Sequence, residues 1–410
     1  MARNRVVIVG GGGVGDAAAF ALRKRGFDGE ILVLSADSDR PYDRPYLSKE
    51  FLRGEVELAK VFLHDEAAFT KESVELRLGV RVTGGSVADR KLTLADGGEV
   101  EFDTLVLGLG GTPRRLPDVP RAGNVMTLRS LRDSTAIREA LAASSRLMLL
   151  GAGFIGAEVA ASARTMGKEV LMVEAAPAPL IRALGKDVGD IYTGIHRRHR
   201  VDVRTGTTVR RWHSEHDRIV GATLSDGSRE EVDLVLMAVG IEPNLELPEA
   251  LGLQVEGGGV RVDEGLLAAA GVYVGGDIAM HAHPVLGRSI RVEHWEVAKG
   301  HGRGIAAAIA GGHAPYTKLP YFWSDQYDVN LEYRGQASGE DRAVWRGDRD
   351  ALRFSVFYLR HGVVEAVLSM NDTKTNELGG KLIESRQKVE ERALTNLTAD
   401  LSELLPAASS

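Results

Sequence analysis

Residues 5–16 read RVVIVGGGGVGD, and residues 147–158 return to the same pattern as LMLLGAGFIGAE. Each stretch is an apolar run, which predicts a buried parallel strand, followed by G-x-G-x-x-G and an Ala-rich helical pattern. One such motif alone would also be consistent with an ordinary strand-to-helix turn. Two copies, each with an acidic residue following its second strand, indicate that the chain builds two dinucleotide-binding units.

The three glycines of each motif have separate physical roles. The first permits a tight turn, the second lets a pyrophosphate approach bare backbone at a helix N-terminus, and the third lets the helix pack closely on the strand. These positions are Gly10, Gly12 and Gly15 in the first copy and Gly151, Gly153 and Gly156 in the second.

The composition is that of an ordinary globular protein with two or three domains. The chain has 410 residues, of which 44% are hydrophobic and 26% charged, and a single core stops growing well below that length. Its net charge of −6 argues against a nucleic-acid partner. We find no run of about 18 apolar residues, so we expect no membrane span and a cytoplasmic location.

Cysteine is absent from the sequence. This excludes a redox-active disulfide, a sulfenic-acid centre, Cys-ligated zinc and any iron–sulfur cluster carried by this chain. Five histidines between residues 281 and 313 suggest a metal site, but their spacing lacks a helical i, i+4 pair with an acid. We therefore expect no metal.

Two acidic residues are candidates for binding an adenosine ribose. Glu174 ends the second strand of the second unit, 18 residues past Gly156, which is the spacing of a ribose-binding acid. No Arg or Lys follows in residues 175–177, so its carboxylate predicts a preference for NADH over NADPH. In the first unit Asp37 is the nearest candidate. It lies slightly beyond the expected position at the end of the second strand, because Ser35 and Ala36 come between that strand and Asp37.

Other segments predict how the units are completed. Residues 40–50, RPYDRPYLSKE, form a proline-bounded segment whose cations suit an anionic cofactor, although a solvated loop would have the same pattern. Residues 80–107 and 201–239 each predict a β-meander feeding a buried strand back into a sheet. Residues 297–309 predict a helix. Strands at 351–360 and 363–368, with a helix at 375–392, predict a third, α+β domain.

These motifs together carry a family resemblance that covers nearly the whole chain. The sequence resembles the FAD-dependent NADH:ferredoxin reductases of bacterial cytochrome P450 and ring-hydroxylating dioxygenase systems, within the glutathione-reductase-like flavoproteins. Besides the two glycine motifs, the resemblance rests on PYDRPYLSK at 41–49, GIEPN at 240–244, Gly276-Asp277, and FWSDQYD at 322–328.

The resemblance implies an α/β fold with two Rossmann-like dinucleotide-binding domains and a C-terminal α+β domain. The FAD-binding domain is expected to be discontinuous, with residues 1–112 and 243–318. The NAD-binding domain is expected at 113–242 and the C-terminal domain at 319–410.

The resemblance also implies the cofactors, FAD and NADH, and the residues that contact them. Expected FAD contacts are Gly10, Gly12, Gly15, Arg44, Lys49, the backbone at Val82, Arg129, Asp277 beside the ribityl chain, and Trp295 and Trp323 near the isoalloxazine; Asp37 is the candidate for the ribose of this nucleotide. Expected NADH contacts are Gly151, Gly153, Ile155, Gly156, Glu174 and the backbone near Gly240.

Lys49 and Glu158 are the residues expected to take part in the chemistry. The resemblance implies that they meet where nicotinamide lies against flavin, so an ammonium near flavin N5 would favour the negative charge that arrives with hydride. The alternative is a structural salt bridge. Trp323 likewise could contact the cofactor or only fill a core.

The implied reaction is hydride transfer from NADH to flavin N5, then transfer of single electrons to a separate [2Fe–2S] ferredoxin that feeds an oxygenase. Three segments depart from the family pattern: Gly108-Leu109-Gly110, Val297-Ala298 and Asn371-Asp372-Thr373. They leave two alternatives open. One is an NADH oxidase or quinone reductase similar to the apoptosis-inducing factor, and the other is an NADH-sensing interaction module. The oligomeric state is not predicted.

Overall fold

The computed structural model describes residues 4–406. A first sheet contains the strand that enters the first glycine turn. Its strands run parallel, except that the edge strand Leu267–Ala269 is antiparallel to its neighbour Val272–Val274. In spatial order they are Leu267–Ala269, Val272–Val274, Thr104–Leu107, Arg5–Val9, Glu30–Leu34 and Val74–Arg77. The sheet thus combines strands from residues 5–107 with strands from residues 267–274. The carboxyl ends of its parallel strands meet at the edge of the sheet where the glycine turn lies.

A second sheet repeats this plan around the second glycine turn. All five of its strands are parallel, and the three central ones are mostly apolar and buried, as expected for strands covered on both faces. In spatial order they are Val201–Thr205, Glu169–Glu174, Arg146–Leu150, Leu234–Met237 and Val125–Thr127.

Both predicted meanders form small antiparallel sheets beside the parallel ones. Their strands are Val82–Ser86, Lys91–Leu94 and Glu99–Glu101 in the first unit, and Val209–Glu215, Arg218–Leu224 and Arg229–Glu231 in the second. The chain crosses between the units in a two-stranded ribbon of Gly111–Pro113 with Ile241–Pro243. A further sheet contains Val255–Glu256, Gly259–Val262, Ala279–His283 and Arg288–Ile290.

The C-terminal part is a five-stranded antiparallel sheet with a helix packed on it. Its strands, in spatial order, are Tyr321–Gln326, Val329–Gly335, Val363–Met370, Arg353–Arg360 and Arg342–Asp348. The predicted fold class, two parallel-sheet nucleotide units and a C-terminal α+β unit, is confirmed. The proposed domain boundaries stay predictions.

The α-helices are Gly13–Lys24, Glu50–Arg53, Leu58–Val61, Glu66–Lys71, Leu131–Ala142, Phe154–Thr165, Ile181–Leu184, Lys186–Arg198, Glu246–Ala250, Trp295–Gly311, Thr373–Ser385 and Glu391–Thr395, with 3₁₀ turns at Arg44–Ser48, Gly276–Ile278 and Leu401–Leu404. Across residues 4–406, none of these helices is both long enough and apolar enough to cross a membrane.

The prediction of one helix over residues 375–392 was wrong. The helix ends at Ser385, because Arg386 takes a left-handed conformation with φ of 52°. Its guanidinium bonds to Glu365 at 2.7 Å, and the backbone N–H of Val389 donates to the carbonyl of Gly362 at 2.8 Å. A short helix, Glu391–Thr395, follows. Contacts with a distant strand overrode the local helical pattern.

Candidate functional site

One cavity of about 710 Å³ lies at the carboxyl ends of the first sheet and extends to the second unit and the C-terminal sheet. Sites for small ligands and cofactors commonly have volumes of this order. Twelve of the predicted site residues line it: Gly10, Gly12, Asp37, Arg44, Lys49, Val82, Arg129, Ile155, Glu158, Asp277, Trp295 and Trp323. The structure places six others outside this lining: Gly15, Gly151, Gly153, Gly156, Glu174 and Gly240.

The glycine turn at the cavity has the geometry that its spacing predicts. Gly10 has a φ of 111°, and a Cβ at this position would collide with the carbonyl of Gly108. A Cβ at Gly15 would collide with the carbonyl oxygen of Gly10, so helix Gly13–Lys24 can pack this closely only without it. Gly12 faces more open space: a Cβ there would lie 3.8 Å from Arg44 Nη2. Bare backbone is therefore available at this helix N-terminus.

Two guanidinium groups make this end of the cavity cationic. Burial and the neighbouring Arg129 lower the pKa of Arg44 to about 10, which still leaves it charged at neutral pH. Arg129 Nη2 bonds to Asp277 Oδ2 at 2.7 Å, whereas Arg129 Nε is buried without a hydrogen-bond partner within residues 4–406. An unpaired buried donor, a second cation and a helix N-terminus fit an anionic dinucleotide.

Asp37 lies beyond the end of strand Glu30–Leu34 and lines the same cavity. Its Oδ2 accepts a hydrogen bond from the Tyr42 hydroxyl at 2.9 Å, and its Oδ1 accepts from the backbone N–H of Asp39 at 3.1 Å. Burial raises the pKa of Tyr42 to about 12, so the phenol remains a donor at neutral pH. These bonds hold the carboxylate at the cavity edge, and its contact with a ribose stays a prediction.

Lys49 and Glu158 form a buried ion pair at the cavity wall. Lys49 Nζ lies 2.9 Å from Glu158 Oε1, and the two residues are 6% and 5% exposed. Two serines bond to the same carboxylate: Ser48 Oγ donates to Oε2 at 2.5 Å, and Ser324 Oγ donates to Oε1 at 2.8 Å. Removing one partner of such a buried pair is costly, because the other charge is left without compensation.

Sequence analysis missed both serines as site residues. Ser48 directly precedes Lys49, and Ser324 directly follows Trp323 inside a quoted motif. A signal was available, since a buried carboxylate needs more than one donor to offset its lost hydration. The sequence alone does not say which hydroxyl groups supply those donors.

Aromatic side chains form another part of the cavity wall. Trp295 begins helix Trp295–Gly311, and a Cβ at Gly13 would lie 3.0 Å from its ring. Trp323 stacks on Tyr321 with ring centroids 6.1 Å apart. His294 packs on Phe322 at 4.4 Å, and burial lowers its pKa to about 4, so it is neutral at neutral pH. A flat ring system can be accommodated against such a wall.

The second glycine turn has its own acidic residue. Glu174 ends strand Glu169–Glu174, and its carboxylate accepts from the backbone N–H groups of Ala152 and Ala176, each at 2.7 Å. Gly151 has a φ of 93°, and a Cβ at Gly156 would collide with the carbonyl oxygen of Gly151. Ile155 is 42% exposed and links this turn to the main cavity. Nucleotide contacts here stay predictions.

The clustered histidines make hydrogen bonds to backbone. His281 Nε2 bonds to the carbonyl of Glu264 at 3.1 Å, and His283 Nε2 to that of Lys318 at 3.0 Å. His301 Nδ1 accepts from the backbone N–H of Gly276 at 3.2 Å. Within the described part of the chain, no group of three His, Asp or Glu side chains is arranged to hold a metal ion.

Two family profiles match most of the chain, and similar proteins match it over nearly its whole length. A profile of the pyridine nucleotide-disulphide oxidoreductase family matches residues 4–302, and one described as reductase C-terminal matches residues 321–405. The chain is similar to the ferredoxin reductase subunit of 5,5'-dehydrodivanillate O-demethylase of Sphingobium sp., with 36% identity covering 98% of each chain. It is also similar to the ferredoxin–NAD(+) reductase component of the anthranilate 1,2-dioxygenase system of Burkholderia cepacia, with 34% identity covering 99% of this chain and 100% of the other. Among solved structures, the covalent putidaredoxin reductase–putidaredoxin complex matches with a TM-score of 0.94 and 34% identity, covering 98% of each chain.

Proposed function

The chain belongs to the pyridine nucleotide-disulphide oxidoreductase family and is an oxidoreductase, and from this premise we propose that it is an FAD-dependent ferredoxin–NAD(+) reductase that oxidises NADH. Its electron acceptor is a separate [2Fe–2S] ferredoxin that feeds an oxygenase, as the names of its relatives suggest. The observation that carries this proposal is the single cavity joining the first glycine turn, two cations, the Lys49–Glu158 pair and two tryptophans.

FAD binding uses the residues that line this cavity. The N–H groups near Gly12, with Arg44, would hold the pyrophosphate, Asp37 would hold the ribose, and Arg129 and Asp277 would hold the ribityl side. Trp295 and Trp323 would pack near the isoalloxazine, and Val82 would contribute its backbone. When bound, the flavin supplies the conversion between a two-electron hydride and single electrons.

NADH binds to the second unit and reaches the cavity past Ile155. Glu174 accepts from the ribose 2′-OH and repels a 2′-phosphate, while the turn at Gly151 and Gly153 receives the pyrophosphate. The backbone at Gly240 borders the same nucleotide. Bound in this way, the nicotinamide would lie beside Lys49. The ammonium of Lys49 would stabilise negative charge that develops there, and Glu158, 2.9 Å away, would hold the ammonium in place.

Electrons leave the site without a protein disulfide, because the chain has no cysteine. Anaerobic reduction by NADH, followed by mixing with [2Fe–2S] ferredoxins, tests the whole assignment. We expect one FAD per chain, fast loss of the absorbance of oxidised flavin (bleaching) when NADH is added, and cytochrome c reduction only when ferredoxin is present. Release of FMN, fast reduction of oxygen or quinone without ferredoxin, or negligible turnover would each contradict the proposal.

A further inference from the structure

One carboxylate connects three parts of the molecule. Glu158 lies on helix Phe154–Thr165 of the second nucleotide unit. Its partners Ser48 and Lys49 lie in the first unit, between strands Glu30–Leu34 and Val74–Arg77, and Ser324 lies on strand Tyr321–Gln326 of the C-terminal sheet. Ser48 and Ser324 are 2% and 0% exposed. The C-terminal sheet therefore contacts the ion pair directly.

We propose that Ser324 is a positioning residue for the reduction of the bound cofactor by NADH, acting through Glu158 on the Lys49 ammonium. The C-terminal sheet would then take part in the reductive step. This inference rests on the proposed function for its reductant, NADH, and does not depend on the electron acceptor.

Hydrogen-bond directions make Ser324 a defined donor. Gln326 Nε2 lies 3.2 Å from Ser324 Oγ, and an amide nitrogen can only donate, so the serine oxygen accepts from it. The serine hydrogen is then directed at Glu158 Oε1, 2.8 Å away. Gln326 is 1% exposed, so water does not compete for this arrangement.

Both oxygens of Glu158 are held, and this fixes the rotation of the carboxylate. Oε1 accepts from Lys49 and Ser324, and Oε2 accepts from Ser48. Without Ser324, only Lys49 remains on Oε1 and only Ser48 on Oε2, so the rotation of the carboxylate is held less tightly. The ammonium would then be less well placed, and electrostatic stabilisation depends steeply on preorganised placement.

The test compares Ser324→Ala with Ser369→Ala. Ser369 lies in the same sheet and is 1% exposed, and its Oγ lies 2.8 Å from Ser355 Oγ. Neither of these two serines lines the cavity. In anaerobic stopped-flow of the FAD-loaded proteins, we expect Ser324→Ala to slow the limiting rate of bleaching by about 5- to 50-fold, as for loss of a hydrogen bond to a charged group. The half-saturating NADH concentration should change little. Ser369→Ala should bleach at the wild-type rate.

A purely structural role would not slow the limiting rate of flavin reduction while leaving the half-saturating NADH concentration unchanged. Ser324→Cys keeps the side chain's size but donates weakly, and its rate should fall between those of the wild type and Ser324→Ala.

Urea unfolding of the apoprotein gives a readout that does not need the cofactor. We expect the midpoint shifts of Ser324→Ala and Glu158→Gln to be non-additive, because the two side chains share one bond. A wild-type rate of bleaching in Ser324→Ala, or fully additive midpoint shifts, would overturn the proposal. A wild-type protein bleached by NADH but inert toward ferredoxin would instead overturn only the proposed acceptor.

Discussion

Among single residues, Lys49 is expected to contribute most to the rate of hydride transfer. Lys49→Met keeps the length and apolar stem of the side chain but removes the charge beside Glu158. We expect NADH-dependent bleaching to slow by about 10- to 1000-fold while FAD is retained, because a preorganised electrostatic group is lost. Stopped-flow absorbance measures this step. Lys91→Met, an exposed lysine paired with Glu99 at 3.3 Å, is the matched control. An unchanged rate in Lys49→Met would reduce the pair to a structural salt bridge.

Glu174 is expected to decide which nicotinamide nucleotide is preferred. In Glu174→Ala combined with Ala175→Arg, a repelling carboxylate is removed and a phosphate partner is added, each worth roughly 1–3 kcal/mol. We expect kcat/KM for NADPH to rise relative to that for NADH. Ala175→Arg alone is the control, because it keeps the bonds from Glu174 to the N–H groups of Ala152 and Ala176. An undiminished preference for NADH in the double variant would show that Glu174 does not contact the ribose.

At the scale of elements, close packing of helix Gly13–Lys24 depends on Gly15. Gly15→Ala would place a methyl group against the backbone carbonyl of Gly10, which cannot move away as a flexible side chain can. We expect lower stability by about 1–3 kcal/mol and loss of bound FAD. Gly194→Ala is the control: it lies in helix Lys186–Arg198, and within residues 4–406 no atom lies within 4 Å of its added methyl. Its stability should rise by about 0.5–1 kcal/mol. Urea unfolding and flavin content measure both; equal effects would contradict the packing argument.

Strand Ala279–His283 carries buried histidines that make the fold sensitive to acid. Burial lowers the pKa of His281 to about 4, whereas an unfolded histidine titrates near about 6.5. The unfolded chain therefore binds the proton more readily, so stability is complete above about pH 6.5 and falls as the pH drops toward about 4. We expect the urea midpoint of His281→Asn to fall less than that of the wild type between about pH 7.5 and pH 5. Exposed His361→Asn should keep the wild-type loss. An identical loss in His281→Asn would contradict this account.

At the scale of the whole molecule, FAD is expected to hold several parts of the fold together. The cavity is lined by the first unit, by Ile155 and Glu158 of the second, and by Trp323 of the C-terminal sheet. Removing FAD should therefore lower the melting temperature, and adding it at 100 times its Kd should restore about 2.7 kcal/mol. FMN should restore much less, because it lacks the pyrophosphate that the cationic end binds. Calorimetry of the apoprotein with each nucleotide measures this; equal rescue by FMN would argue against the assignment.

The sequence by itself predicted the two units built around glycine turns, and the family resemblance implied the class of electron transfer. Glycine spacing, buried apolar runs and an acid at a strand end are local patterns, because turn geometry and strand burial depend on neighbouring residues. The absence of cysteine excluded a disulfide relay without any structure. The predicted Lys49–Glu158 contact came from a family resemblance, and the structure brings these two residues together at 2.9 Å.

Only the tertiary structure decided which distant groups complete the site. Ser48 and Ser324 reach Glu158 across 110 and 166 residues of chain, and no periodicity records which hydroxyl faces a buried carboxylate. The helix after residue 373 stops at Ser385, where Arg386 turns toward Glu365 on a neighbouring strand. In both cases burial of a charge selected partners from other elements, because an unpaired buried charge costs more free energy than a local preference supplies.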